Sequence, residues 1–189
     1  YWWLGRTSLE QQDHAAALAN FTRACELQPN EGNNWWWRGR TLYTMSEFRA
    51  AAADFARACE LQPEDAANSY WYGLSLFQLR QSEAALPALN RAIELNPDQG
   101  DAYWWRGRLH YDLNNMDAAL ADFKRSVEMQ PEDGYNYLWR GCCYFWMQDY
   151  LLAQVDFDRA ADLQPTNNEV FYWRGRTHYE TGRYPDAIV

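Results

Sequence analysis

An all-α solenoid of paired helices is the fold class this sequence predicts, and three observations predict it. Gly recurs at Gly5, Gly39, Gly73, Gly107, Gly141 and Gly175, and Pro at Pro29, Pro63, Pro97, Pro131 and Pro165, each series with an unbroken spacing of 34 residues. Apolar positions between these marks recur at i, i+4 and i+7, the spacing of one helical face and not of a strand. A two-helix unit of this length cannot bury its own apolar side, so tandem copies must stack.

Within a unit the first helix comes first. In the second unit Trp35, Gly39 and Leu42 form its inner stripe, and Gly39 opposite Ala51 lets two backbones approach closely, offsetting the roughly 1 kcal/mol that Gly costs inside a helix. The second helix carries Ala51, Phe55 and Ala58 on its core face. The same columns run through the chain as Ala17, Ala51, Ala85, Ala119, Ala153 and Ala187, then Phe21, Phe55, Leu89, Phe123 and Phe157, then Ala24, Ala58, Ala92, Ser126 and Ala160. Pro63 cannot continue a helix and opens the link to the next unit. These signals place the second unit's helices at about residues 33–45 and 48–61. They divide one repeat domain, 1–189, into units of about 1–31, 32–65, 66–99, 100–133, 134–167 and 168–189.

A large aromatic, Gly, Ala, Phe, Ala and Pro in this order and spacing resembles the tetratricopeptide-repeat (TPR) family over the whole chain, as five nearly complete units and a final half. The resemblance implies a right-handed superhelix whose work is to hold other proteins. One departure is the residue before Gly, usually Leu in the family, which is Arg38, Arg106, Arg140 and Arg174 here; bacterial TPR variants of the Arg-Gly type look similar. A guanidinium there is expected to run its stem along apolar surface and put its head in water or on a partner.

The resemblance further implies that first helices line a concave groove. Trp36, Arg40 and Tyr43 form a stripe apart from the core stripe, copied by Trp104, Arg108 and Tyr111 and by Tyr172, Arg176 and Tyr179. The third unit substitutes Tyr70, Leu74 and Phe77 and the fifth Leu138, Cys142 and Phe145, so two more apolar patches are expected in the groove. A second column has no exception: Trp3, Trp37, Trp71, Trp105, Trp139 and Trp173 sit two residues before each Gly. These indoles either wedge between units as core or stand partly exposed as a ladder for a ligand segment or another subunit. Arg beside Trp permits cation–π stacking of about 0.5–2 kcal/mol. Arg23, Arg57, Arg91, Arg125 and Arg159 precede Glu26, Glu60, Glu94, Glu128 and Asp162 by three, and Asp54, Asp122 and Asp156 precede three of those Arg residues by three; helix-supporting ion pairs are the expectation.

The formal net charge of -9 argues against broad capture of nucleic acid. No apolar run approaches the roughly 20 residues of a membrane-spanning helix. Cys142 and Cys143 are adjacent and Cys25 and Cys59 are repeat equivalents, which reads as small buried residues in a reducing compartment. The chain opens without Met, however, and localisation stays open. His14, His110 and His178 read as packing residues, and nothing has the spacing of a metal, cofactor or nucleophile site. The expected function is a non-catalytic scaffold that binds a protein or peptide segment through an aromatic and Arg-lined groove. The alternatives are self-assembly through raw repeat ends into a filament or other oligomer, and service as the repeat arm of a larger enzyme.

Overall fold

The computed structural model describes residues 1–182; the expected core position Ala187 lies outside the described residues. These hold eleven α-helices and no strand. In order they are α1 (Trp2–Glu10), α2 (His14–Leu27), α3 (Gly32–Thr44), α4 (Phe48–Leu61), α5 (Ala66–Gln78), α6 (Ser82–Leu95), α7 (Gly100–Asp112), α8 (Met116–Met129), α9 (Gly134–Trp146), α10 (Tyr150–Leu163) and α11 (Asn168–Glu180). The helices of the second unit fall within one residue of the positions read from the sequence. The architecture is an all-α helical repeat solenoid. None of the described helices is long and apolar enough to cross a membrane.

The chain forms two compact units, one of Tyr1–Pro97 with α1 to α6 and one from Asp98 onward with α7 to α11. In each, successive helices pack on one another; α3 also touches α5, and α9 touches both α7 and α11. Phe21, Phe55, Leu89, Phe123 and Phe157 are fully buried, as are Ala17, Ala51, Ala85, Ala119 and Ala153. The group against Gly39 is the Phe55 ring, 3.1 Å from where a Cβ would stand, and Gly141 meets Phe157 at 2.8 Å. The glycine column therefore makes room for the large core side chain of the partner helix, a Phe ring or, at Gly73, Leu89, where the sequence reading set Gly39 opposite Ala51.

Three further columns build the joints. The turn between first and second helix places Gln12, Ser46, Arg80, Asn114 and Gln148 at φ between 59 and 64°, and Gly182 follows in the same register at 74°. This is the left-handed cap that ends a helix tightly, with the next N–H groups bonding back, as Ser46 does to the Tyr43 carbonyl at 2.9 Å. Each second helix ends at the residue before the Gln or Asn that precedes Pro, a position biased to extended backbone. Buried Asn34, Asn68 and Asn136 then reach back to that end. Asn68 Nδ2 donates to the carbonyls of Ala58 (3.3 Å) and Gln62 (3.2 Å), and Asn136 to those of Ser126 and Gln130. Each of these carbonyls also accepts a backbone N–H, as Ala58 does from Gln62 at 2.8 Å, so the Asn fills the second acceptor site and ties the next helix to the end of the last.

Candidate partner-binding site

Four cations were expected to put their heads in water or on a partner, and three do neither. Arg38, Arg106 and Arg140 each clamp a carboxylate of their own repeat. Nε and Nη2 of Arg38 donate to Asp54 at 2.7 and 2.6 Å, and Arg106 and Arg140 do the same to Asp122 and Asp156 at 2.8 and 2.6 Å. The three carboxylates are buried, so Asp54, Asp122 and Asp156 belong to these forks and not to the nearby Arg57, Arg125 and Arg159. The hydrogen bonds hold each guanidinium charged and raise its pKa. Bidentate geometry explains why Arg stands here. The third repeat solves the same site with Tyr72 and Ala88. Arg174 lies over the Phe171 ring at 5.1 Å.

The Trp column is half-buried, except Trp3, which is 77% exposed. Trp37 stacks on Phe21 of the preceding repeat (centroids 6.1 Å, interplanar 18°), Trp71 on Phe55, Trp139 on Phe123 and Trp173 on Phe157. Trp105 is also half-buried and meets Trp104 edge to face. The stripe expected to line the groove is drawn into the same joints. Arg6 lies 4.0 Å over Trp37, Arg40 3.7 Å over Trp71 and Arg108 3.6 Å over Trp139. Burial lowers the pKa of Arg40, and Arg108 also bonds Asp112 at 3.1 Å. Tyr43 accepts from Gln78 Nε2 and Tyr111 from Trp146 Nε1, at 3.2 and 2.6 Å.

The remaining stripe residues divide by exposure. Tyr70, Leu74, Leu138, Cys142 and Phe145 are buried and Phe77 is half-buried, so the apolar patches expected in the third and fifth repeats are largely closed over. In the fifth, Leu138, Cys142 and Phe145 join a core against Tyr111, Trp139 and Trp173. Trp36 and Trp104 are half-buried. Tyr172 and Tyr179 stand 59% and 62% exposed with Arg176 between them on α11. Next to them is Trp146, 49% exposed, its ring 6.2 Å from Trp173 and 5.5 Å from the Arg176 guanidinium. Trp146 was missed because its column, Glu10, Thr44, Gln78, Asp112 and Glu180, is otherwise polar. A Trp standing outside the regular column was the available signal.

The outer Arg column does form exposed ion pairs along its helices, as with Arg57 and Glu60 at 2.7 Å, but Arg159 pairs with Glu132 rather than Asp162. Burial pushes the Cys25 thiol up to about 11 and Cys143 to about 12, and Cys142 rises well above its ordinary value. Such thiols are poor nucleophiles at neutral pH.

The fold has counterparts among solved structures. MamA shares 22% identity, with 86% of this chain and 95% of that one aligned at a TM-score of 0.82. YrrB, a TPR protein with an unusual peptide-binding site, shares 25% over 88% of this chain and 86% of its own, with a TM-score of 0.78. A tetratricopeptide repeat protein from Parabacteroides merdae shares 17% over 97% and 73%, with a TM-score of 0.81. A search of curated proteins returns no match. The sequence profiles described as tetratricopeptide repeat match residues 1–31, 37–81, 73–134 and 144–188. With most of its length matched in this way, the chain belongs to the tetratricopeptide-repeat family.

Proposed function

We propose that this chain is a non-catalytic interaction scaffold, and that it takes a segment of a partner protein on the exposed aromatic side chains of its first helices. One observation carries the reading. Among the described residues every exposed aromatic lies on the first helix of a repeat or caps it: Tyr1 and Trp3 at α1, Tyr135 and Trp146 on α9, and Tyr172 and Tyr179 on α11. Trp, Tyr and Arg are the side chains that dominate interface hot spots, and Arg176 stands among the last three. The half-buried Trp36, Tyr43, Trp104 and Tyr111 act in the joints between repeats, so the α9 and α11 face is the main contact. The peptide-binding site of YrrB, a protein of similar fold, supports the same use of this architecture.

The test is site-specific photocrosslinking with benzoylphenylalanine in place of Tyr172 or Tyr179, with Ala50 and Ala53, exposed on α4, as controls. A discrete heterologous adduct from the tyrosine positions, lost on Trp146→Ala, is expected. Adducts equally frequent from the α4 positions would sink the reading. Adducts between two copies of the chain would favour self-assembly instead.

A further inference from the structure

A cleft of about 350 Å³ opens between the N-terminal ends of α7 and α9 and the C-terminal end of α8. Its walls are Trp104, Trp105 and Tyr135, and its rim carries the carboxylates of Asp101 and Asp133. The two indoles meet edge to face, centroids 4.8 Å apart and 85° between planes, so they form a right-angled corner. Tyr135, Asp101 and Asp133 are exposed and keep the mouth open to solvent. Gln130 fixes one rim acid, its Nε2 donating to Asp101 Oδ1 at 2.7 Å; Asp133 Oδ1 caps the Tyr135 N–H at 2.9 Å. The volume lies near the lower end of the ~300–1,000 Å³ of small-ligand pockets, a space for one side chain.

The same cleft recurs three repeats earlier in the first compact unit. There Trp2, Trp3, Gln28, Glu31 and Asn34 occupy the corresponding positions around about 300 Å³. Trp2 and Trp3 again stand at 90° with centroids 4.7 Å apart. A perpendicular pair of indoles with an acidic helix cap beside it is therefore a repeated construction of this chain.

We infer that the α7–α9 cleft binds a cationic side chain of the partner, a guanidinium stacked on the indole corner of Trp104 and Trp105 with its N–H groups directed to Asp101 and Asp133. An indole face attracts a cation through its quadrupole. The chain itself shows what these Trp columns do with a guanidinium, since Arg6, Arg40 and Arg108 lie 3.6–4.0 Å over Trp37, Trp71 and Trp139. The N-terminal ends of α7 and α9 contribute a partial positive field that opposes a cation, each equivalent to roughly half a charge. The two full carboxylate charges outweigh it, and the C-terminal end of α8 adds to them. The net charge of -9 steers cations toward the molecule. A planar fork fits a flat aromatic wall flanked by carboxylates better than the spherical ammonium of Lys.

This assignment rests on the scaffold reading but is tested without the partner. Nα-acetyl-arginine amide, Nα-acetyl-lysine amide and Nα-acetyl-citrulline amide are titrated into the isotopically labelled chain and followed by NMR at the Trp indole and α9 amide resonances. Saturable shifts centred on Trp104, Trp105 and Tyr135 are expected with the arginine compound. Lysine should bind several-fold more weakly, and the uncharged citrulline should give none. Asp133→Asn keeps a good helix cap and should weaken arginine binding about tenfold, as loss of a charge-assisted bond implies; Asp101→Asn is the second arm, because replacing Trp105 itself risks the repeat joint. Shifts that are absent, equal with citrulline or lysine, or unchanged in affinity in both Asn variants would overturn the assignment. None of those outcomes touches the crosslinking result, and a failed crosslink would leave arginine affinity at the cleft unaltered.

Discussion

Replacing Arg140 with Met tests the internal fork most directly. Arg140 donates to Asp156 at 2.8 and 2.6 Å, and the two side chains are 21% and 3% exposed. Breaking a buried pair on one side costs roughly 3–5 kcal/mol, because a carboxylate is left without its partner. With a fifth of the guanidinium in water, about 2–4 kcal/mol is expected. Urea unfolding followed by far-ultraviolet circular dichroism reads this as a midpoint lowered by about 1 M or more, given m-values of about 1–3 kcal/mol/M. Burial already pushes the Asp156 pKa up against the pull of Arg140. Without Arg140 it rises further, so the fold favours the neutral acid. The deficit is then largest at neutral pH and shrinks as pH falls toward the unfolded carboxylate value of about 3.9. The double variant Arg140→Tyr with Asp156→Ala copies the third repeat's Tyr72 and Ala88 and should return to within about 1 kcal/mol of the parent. A single variant within about 1 kcal/mol of the parent, or a double variant no better than the single, would refute the reasoning.

Four other outcomes follow. Arg80→Gly relieves a left-handed backbone at φ 60° and should stabilise by about 0.5–1 kcal/mol despite its position beside a helix; a lower melting temperature would contradict the cap. Gly141→Ala places a Cβ 2.8 Å from the Phe157 ring, so overpacking of about 1–3 kcal/mol should exceed the roughly 1 kcal/mol gained in helix propensity and the variant should melt earlier. Asn68→Leu removes the donor to two helix-end carbonyls and should cost about 1–3 kcal/mol, visible as faster amide exchange where α4 meets α5. Burial lowers the His110 pKa, so its contribution to stability is full above the unfolded value of about 6.5 and is lost as pH falls through the lowered folded value; thermal melts of His110→Gln should show less pH dependence across that window.

The helix pairs were legible because Phe21, Phe55, Phe123 and Phe157 and the glycines opposite them repeat without a slip. The forks were not read, although their signal was present. Arg38, Arg106 and Arg140 occur with Asp54, Asp122 and Asp156, whereas Tyr72 occurs with Ala88. Ion pairs three apart along one helix are visible locally, whereas these partners stand sixteen residues apart on paired helices. Asn34, Asn68 and Asn136 keep the same register, with Ala102 and Val170 in the remaining units, but a polar side chain carries no mark of burial in the sequence. Of the left-handed turns only Asn114 and Gly182 carry residue types that favour one. The exposure of the Trp column was illegible in principle, since what covers Trp71 is Phe55 and Arg40 from the preceding repeat.

That joint has a consequence for how such an array grows. In the first, second and fourth units one half of the contact, the aromatic ring and the guanidinium, sits on the unit, and the other half, the indole, sits on its successor. Duplication of a unit therefore delivers plug and socket together, and an inserted copy meets both neighbours with surfaces they already fit. Length is free to vary by whole modules without a new boundary having to evolve.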